Sequence, residues 1–244
     1  MHFILDVHCH TTATGHAYST LKENLAQAKK IGLALTGASD HGPDMLDSCR
    51  LSHFENILKL PEVIDGMPWL KGVEANIINT SGGVDIPGDI LAQLDFCIAS
   101  IHESVFYPGS TEANTAAIID AMENPNVHII GHLGDTNIPI NTKSIITAAK
   151  KTGTIIEINN KSLTPGTKRF NGGGTIREIL ALCKKHGVAV IAGSDAHMAK
   201  DVGRLDYAGS YIMESGIDKQ LVMNTNIERF IDTLKGKRNH GKKS

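Results

Sequence analysis

The chain has 244 residues, 41% hydrophobic and 20% charged; that is enough to bury one sizeable core, and α/β barrels of roughly 200–250 residues commonly form a single domain. A formal net charge of −2 and a pI of about 6.6 give no basic field of the kind that long nucleic acids rely on. With no charged-then-apolar leader and no apolar run of about 18 residues, the expectation is a single domain over residues 1–244, in the cytoplasm, away from membranes and acting on a small ligand.

In chain order, the first apolar run, Phe3–Val7, reads as a buried strand and leads directly into His8 and His10. A loop carrying His16 precedes a helical pattern at Leu21–Ile31. The run Ala34–Ala38 ends at Asp40 and His41, and Trp69–Val73 ends at Glu74. Gly82–Asp89, GGVDIPGD, is an irregular excursion before the fourth run, Phe96–Ser100, which ends near His102. A helical pattern at Ala113–Met122 leads to Val127–Ile130 and His132, and another at Lys143–Lys151 leads to Thr154–Ile158. That sixth strand ends in Glu157, Asn159 and Asn160, without a histidine. Ser162–Gly174 is rich in turn formers, Ile176–His186 is helical, and Val188–Ala192 leads to Asp195 and His197. The basic end, Lys235–Ser244, reads as a frayed, solvated tail.

Strand and helix alternate, which implies parallel strands with crossover helices, and roughly seven such units are enough to close a barrel. Parallel α/β folds build their sites at the C-terminal ends of their strands, and histidines or carboxylates stand at that end of the runs. Alternate residues of an extended chain share a face, so His8 pairs with His10 and Asp195 with His197, while Cys9 points away. A lone histidine at a strand end is ordinarily only a hydrogen-bonded residue; its repetition on strand after strand points to metal. Imidazole and carboxylate suit zinc, manganese or iron(II), and their number exceeds what one ion needs. His2, His53, His128, His186 and His240 fall outside this pattern and read as structural or solvated. His16 is left open by spacing alone. Cys49, Cys97 and Cys183 form no C-x-x-C pair and read as reduced, gap-filling residues.

The motifs DVHCHTTATGH (Asp6–His16), GASDHGPDM (Gly37–Met45), GVEANI (Gly72–Ile77), SIHES (Ser100–Ser104), GHLGD (Gly131–Asp135), EINN (Glu157–Asn160) and GSDAH (Gly193–His197) resemble the PHP superfamily, named for its polymerase and histidinol phosphatase branches. They are most similar to its YcdX-like group of small, stand-alone bacterial phosphatases. The resemblance implies a distorted (β/α)7 TIM-like barrel holding three divalent ions, zinc in that group. It implies that His8, His10, Glu74 and Asp195 hold one ion, that Glu74 bridges to a second held by His102 and His132, and that His16, His41 and His197 hold a third. The activity it implies is phosphoester hydrolysis.

In such a site Asp195 and Glu74 would serve catalysis, Asp195 by orienting or deprotonating the attacking water. Asp40 and Asp135 are candidates to fix imidazole tautomers, against a turn or capping reading for each. Arg50, Lys161, Lys168, Arg169 and Arg204 could contact phosphate, although each is more often a solvated base. Arg204, close behind GSDAH, is the best placed. Three alternatives stand beside the small-substrate phosphatase: a nuclease-like phosphodiesterase or nucleotide phosphatase, an amidohydrolase, and a metal-binding module without turnover. The amidohydrolase pattern wants a bridging lysine on the fourth strand, where this chain places His102.

Overall fold

The apolar runs become parallel strands because both faces of each are covered. In the computed structural model, which describes residues 1–135, 137–167 and 173–240, the strands are β1 (Leu5–Asp6), β2 (Leu35–Ala38), β3 (Val63–Ile64), β4 (Met67–Asn76), β5 (Phe96–Ser100), β6 (Ile129–Ile130), β7 (Ile155–Asn159) and β8 (Val190–Gly193). The order β1-β2-β4-β5-β6-β7-β8 is parallel throughout, with β3 antiparallel on β4. Helices α1 (Leu21–Lys30), α2 (Leu51–Ile57), α3 (Gly88–Leu91), α4 (Thr111–Glu123), α5 (Thr142–Thr152), α6 (Asn160–Leu163), α7 (Gly174–His186), α8 (Asp206–Ser215) and α9 (Ile227–His240) surround the strands. The result is a nearly closed (β/α)7 barrel.

Its seam lies between β1 and β8. A single parallel bridge, Cys9 to Ala196, spans it, with His10 N–H donating to Ala196 O at 2.8 Å. Lower in the seam a side chain replaces the missing ladder. The buried Asn224 amide donates to Leu5 O (3.0 Å) and Ala192 O (2.9 Å) and accepts from Ala192 N–H (2.7 Å).

The strand between residues 63 and 76 differs from expectation. Asp65 and Gly66 take positive φ values of 51° and 77°, the geometry of a two-residue hairpin turn. They fold β3 back onto the start of β4, which is therefore longer than its apolar run.

Two apolar layers hold the barrel. The inner one comprises Leu5, Val7, Leu35, Phe96, Ile98, Ile129, Ile155 and Ile191, closed from below by Met223, Phe230 and Leu234. Phe96 fills the interior so fully that a Cβ on Gly72 would fall 2.2 Å from its ring, which accounts for glycine on that strand. The outer layer packs the strands against the helices.

The basic end is not frayed over its described part, because α9 continues to His240 as the floor of the barrel. Lys237 is only 4% exposed and donates to Met122 O, and Arg238 reaches Leu94 O and Asp95 O. Burial pulls the Lys237 ammonium from 10.5 down to about 8. Between those values the unfolded chain binds more protons than the folded one, so stability rises with pH across that window. Lys237→Met is expected to raise Tm near pH 7 by about 2–4 °C, equivalent to ~1 kcal/mol in a chain of this size. It should also flatten the dependence above about pH 8. Thermal melts at the two ends of the window check both. No helix among the described residues is long and apolar enough to cross a membrane.

Candidate metal centre

The barrel's C-terminal mouth gathers the strand-end side chains around one carboxylate. Glu74, near the end of β4 and 1% exposed, has Oε2 at 3.2 Å from His8 Nε2, 3.5 Å from His10 Nε2 and 2.9 Å from His41 Nδ1. Its Oε1 lies 3.4 Å from His102 Nε2 and 2.9 Å from His132 Nε2, and accepts from Ser100 Oγ at 2.7 Å. Five imidazoles from four strand ends thus converge on one side chain.

Asp195 Oδ1 stands 3.5 Å from His10 Nε2 and 3.3 Å from His197 Nδ1. His16, on an exposed loop, brings its ring 5.2 Å from that of His41 and 5.0 Å from that of His197, centre to centre. The donor atoms fall within 4.8 Å of one another in three sets among the described residues: His8, His10 and Glu74; His41, Glu74 and His102; His10, His41 and His197. His41 therefore reaches Glu74 as well as His197. His10, rather than His16, completes the last set.

These residues fit a metal cluster on their own chemistry. His8 Nε2, both ring nitrogens of His10, His41 Nδ1 and Glu74 Oε2 are buried and close together, yet lack an aligned hydrogen-bond partner. Each such orphan costs about 1–3 kcal/mol unless something satisfies it. Divalent cations would satisfy Glu74 Oε2 and one nitrogen of each of these imidazoles, and nitrogen with carboxylate oxygen is the donor set of zinc, manganese and iron(II).

Protonation states are prepared accordingly. Burial works against ionised Glu74, but His8, His41 and His102 hold its carboxyl well below the usual range. Burial likewise opposes ionised Asp195, and Lys161 with His10 and His197 overcomes it. Burial pushes His102 down to about 3 and His10 well below its ordinary value, so both rings are neutral and hold lone pairs. His8 goes the other way: burial would lower it, but Glu157 and Glu74 raise it well above 6.5.

Glu157 is the functional residue that sequence reasoning passed over. From β7 its Oε1 contacts His8 Nδ1 at 2.5 Å, and its Oε2 accepts from His132 N–H at 2.7 Å and from Asn159 Nδ2 at 3.2 Å. A carboxylate on Nδ1 fixes the ring so that Nε2 faces the cluster. The signal was present: Glu157 and Asn159 alternate onto the inner face at a strand's C-terminal end, as His8 and His10 do.

Two expected orienting residues do other work. Asp40 accepts from Thr11 N–H (2.7 Å), Thr11 Oγ1 (2.8 Å) and Thr14 Oγ1 (3.0 Å), and pairs with His53 Nε2 at 3.2 Å. It thus pins the loop between His10 and His16, and the one imidazole it meets, His53, lies outside the cluster. Burial would raise its carboxyl, but His53, His10 and Thr11 bring it to about 2. Asp135 caps a turn, accepting from Asn137 N–H at 2.9 Å.

Among the described bases, Lys161 stands closest to the cluster, its Nζ 3.4 Å from Asp195 Oδ1 and 3.1 Å from His197 Nδ1. Arg204 pairs with Asp201 at 3.1 Å and lines, with Lys161, Thr164, Thr167, Asp195 and His197, a cleft of about 230 Å³. A second cleft of about 340 Å³ opens on the His102 side beside Met45, Glu103 and Asp135. Arg50 is exposed at the start of α2, and Lys168 and Arg169 lie outside the described residues.

Backbone strain marks the same place. His132 and Asp195 are non-glycine residues at positive φ, 26° and 55°, a conformation costing about 1–3 kcal/mol that persists only where surroundings enforce it. At His132 the bond to Glu157 contributes to that enforcement.

Comparison with known proteins agrees with this architecture. The family model described as PHP-associated matches residues 176–205. A probable phosphatase of Clostridium novyi is 42% identical over 97% of this chain and 96% of its own length. Another, from Thermoanaerobacter pseudethanolicus, is 43% identical over 98% and 97%. The crystal structure of histidinol phosphate phosphatase from Lactococcus lactis, complexed with zinc, L-histidinol and phosphate, superposes with a TM-score of 0.63 at 22% identity, covering 88% of this chain and 94% of that one. Likeness to the full-length relatives, joined to the barrel and its ring of histidines, shows that the chain belongs to the PHP family of phosphatases.

Proposed function

We propose that the protein hydrolyses a small phosphomonoester at a site of three divalent ions, zinc foremost, with manganese or iron(II) compatible with the same ligands. The observation that carries this reading is Glu74, one buried carboxylate ringed by five imidazoles, of which His8, His10 and His41 turn to it ring nitrogens that lack an aligned hydrogen-bond partner. His8, His10, Glu74 and Asp195 would hold one ion, Glu74, His102 and His132 the second, and His16, His41 and His197 the third. Bound there, such ions lower the pKa of water towards about 7 and neutralise charge on the phosphoryl group.

The chain's own groups do the rest. Asp195 is ionised and directed into the mouth, where it can orient the attacking water and take up its proton. Lys161, at the edge of the cluster, and Arg204, farther along the same cleft, are placed to receive phosphate oxygens as charge develops on them. The clefts at the mouth are of small-molecule size, and the net charge of −2 offers a long polynucleotide no electrostatic footing.

The test is phosphate release from a panel of phosphomonoesters, histidinol phosphate among them, and from dinucleotides, using chelated protein with Zn²⁺ or Mn²⁺ added back. Monoester hydrolysis that stops on chelation and returns with metal is the expected result. Faster cleavage of dinucleotides would shift the reading to a phosphodiesterase. Metal uptake with no turnover of either class would leave a binding module.

A further inference from the structure

The GGVDIPGD excursion is a hairpin with a payload. Asn79 Oδ1 accepts from Ser81 N–H and Gly83 N–H, both at 3.0 Å, and Ile77 pairs antiparallel with Val84. The turn returns the chain alongside β4 and sets Asp85 against Asn76. Asp85 Oδ1 accepts from Asn76 N–H at 2.8 Å, and its Oδ2 accepts from Asn76 Nδ2 at 2.5 Å and from Asp44 N–H at 3.0 Å. Asn76 Nδ2 also donates to Gly42 O at 3.2 Å.

The amine end of Asn76 thus faces two acceptors, so its carbonyl end must face the other way. There it meets His102 Nδ1 at 2.7 Å. A flipped amide would set its oxygen against a carboxylate and a carbonyl, which have no proton to give. His102 Nδ1 must then carry the hydrogen, and its Nε2 keeps the lone pair. The loop after His41 is shaped around the same carboxylate: a Cβ on Gly42 would fall 2.2 Å from Asp85 Oδ1.

We propose that Asp85 is a positioning residue for the metal centre: by locking the Asn76 amide it holds His102 in the Nδ1–H tautomer, and by gripping Asp44 N–H it holds the loop that carries His41. Asp85 itself touches neither imidazole. The proposal rests on His102 and His41 being metal ligands, as argued above. It assigns a role to a loop 11 residues beyond Glu74 that the reaction does not otherwise use.

The test uses the full chain with Asp85→Asn, which removes the charge that orders the amide, and Asn76→Ala, which keeps Asp85 and both of its backbone bonds. Nitrogen NMR of the histidine rings in chelated protein should show His102 as Nδ1–H in the wild type and as a mixture in both variants. Competition titration with a chromophoric chelator should show one metal equivalent weakened by about 10–100-fold, with excess Zn²⁺ restoring kcat. An unchanged tautomer in both variants overturns the proposal, and so does failure of both to fold, since the pair would then be structural only. The NMR readout needs no metal. A wild type that binds none would therefore sink the proposed function while leaving the tautomer result to be judged separately.

Discussion

Glu74→Gln is expected to strip the protein of metal and of phosphatase activity together. Glutamine keeps the volume and one carbonyl oxygen, so the buried packing of β4 is preserved. What is lost is the negative charge to which His8, His10, His41, His102 and His132 all turn. A neutral amide cannot bridge two cations, and its NH2 has no lone pair to offer a metal ion. We expect at least one metal equivalent to leave and kcat to fall by about 10³-fold or more, the scale on which groups that generate and hold a nucleophile act. Elemental analysis beside phosphate release reads both, and wild-type metal content with wild-type turnover would refute the bridging role.

Glu157→Gln should weaken metal binding without abolishing it. The amide oxygen can still accept from His8 Nδ1, but the NH2 then confronts His132 N–H, which donates to Glu157 at 2.7 Å. Two donors face each other, and a buried N–H without an acceptor costs about 1–3 kcal/mol. His132 sits at φ 26°, so that bond is among the forces holding its ring against Glu74. Loss of the carboxylate also releases His8 from its charged partner. Affinity should drop about 10–100-fold, with kcat largely regained at saturating Zn²⁺. Unchanged affinity in the same chelator competition would show that the carboxylate orients nothing.

The two variants differ in a way that bears on how the site could be read. Glu74 stands directly after an apolar run, and its place at a strand's C-terminal end was enough to mark it. Glu157 stands in an equivalent place, but its partners, His8 and His132, come from strands 149 and 25 residues away, and no local pattern announces such a pairing. The same is true of Asp40, whose neighbour in sequence is His41 but whose hydrogen bonds go to Thr11 and Thr14. Lys161 followed a strand without histidines and read as a solvated base, yet the fold sets it beside Asp195 and His197. The Asp65–Gly66 turn was legible as a hairpin signal and went unused.

Periodicity and motif were sufficient for the alternation of strand and helix, for the positions of the strand ends, and for the residue types gathered there, because each depends on neighbours within a few residues. Contacts between strand ends far apart in the chain lay beyond them. Only closure of the barrel decided that five imidazoles meet one carboxylate, that His41 reaches Glu74 as well as His197, and that the basic C-terminal helix plugs the floor instead of fraying. Packing decides these matters: a side chain's partner is set by where the barrel's curvature brings strand ends together, and a buried polar group must find a partner there or bind one from outside.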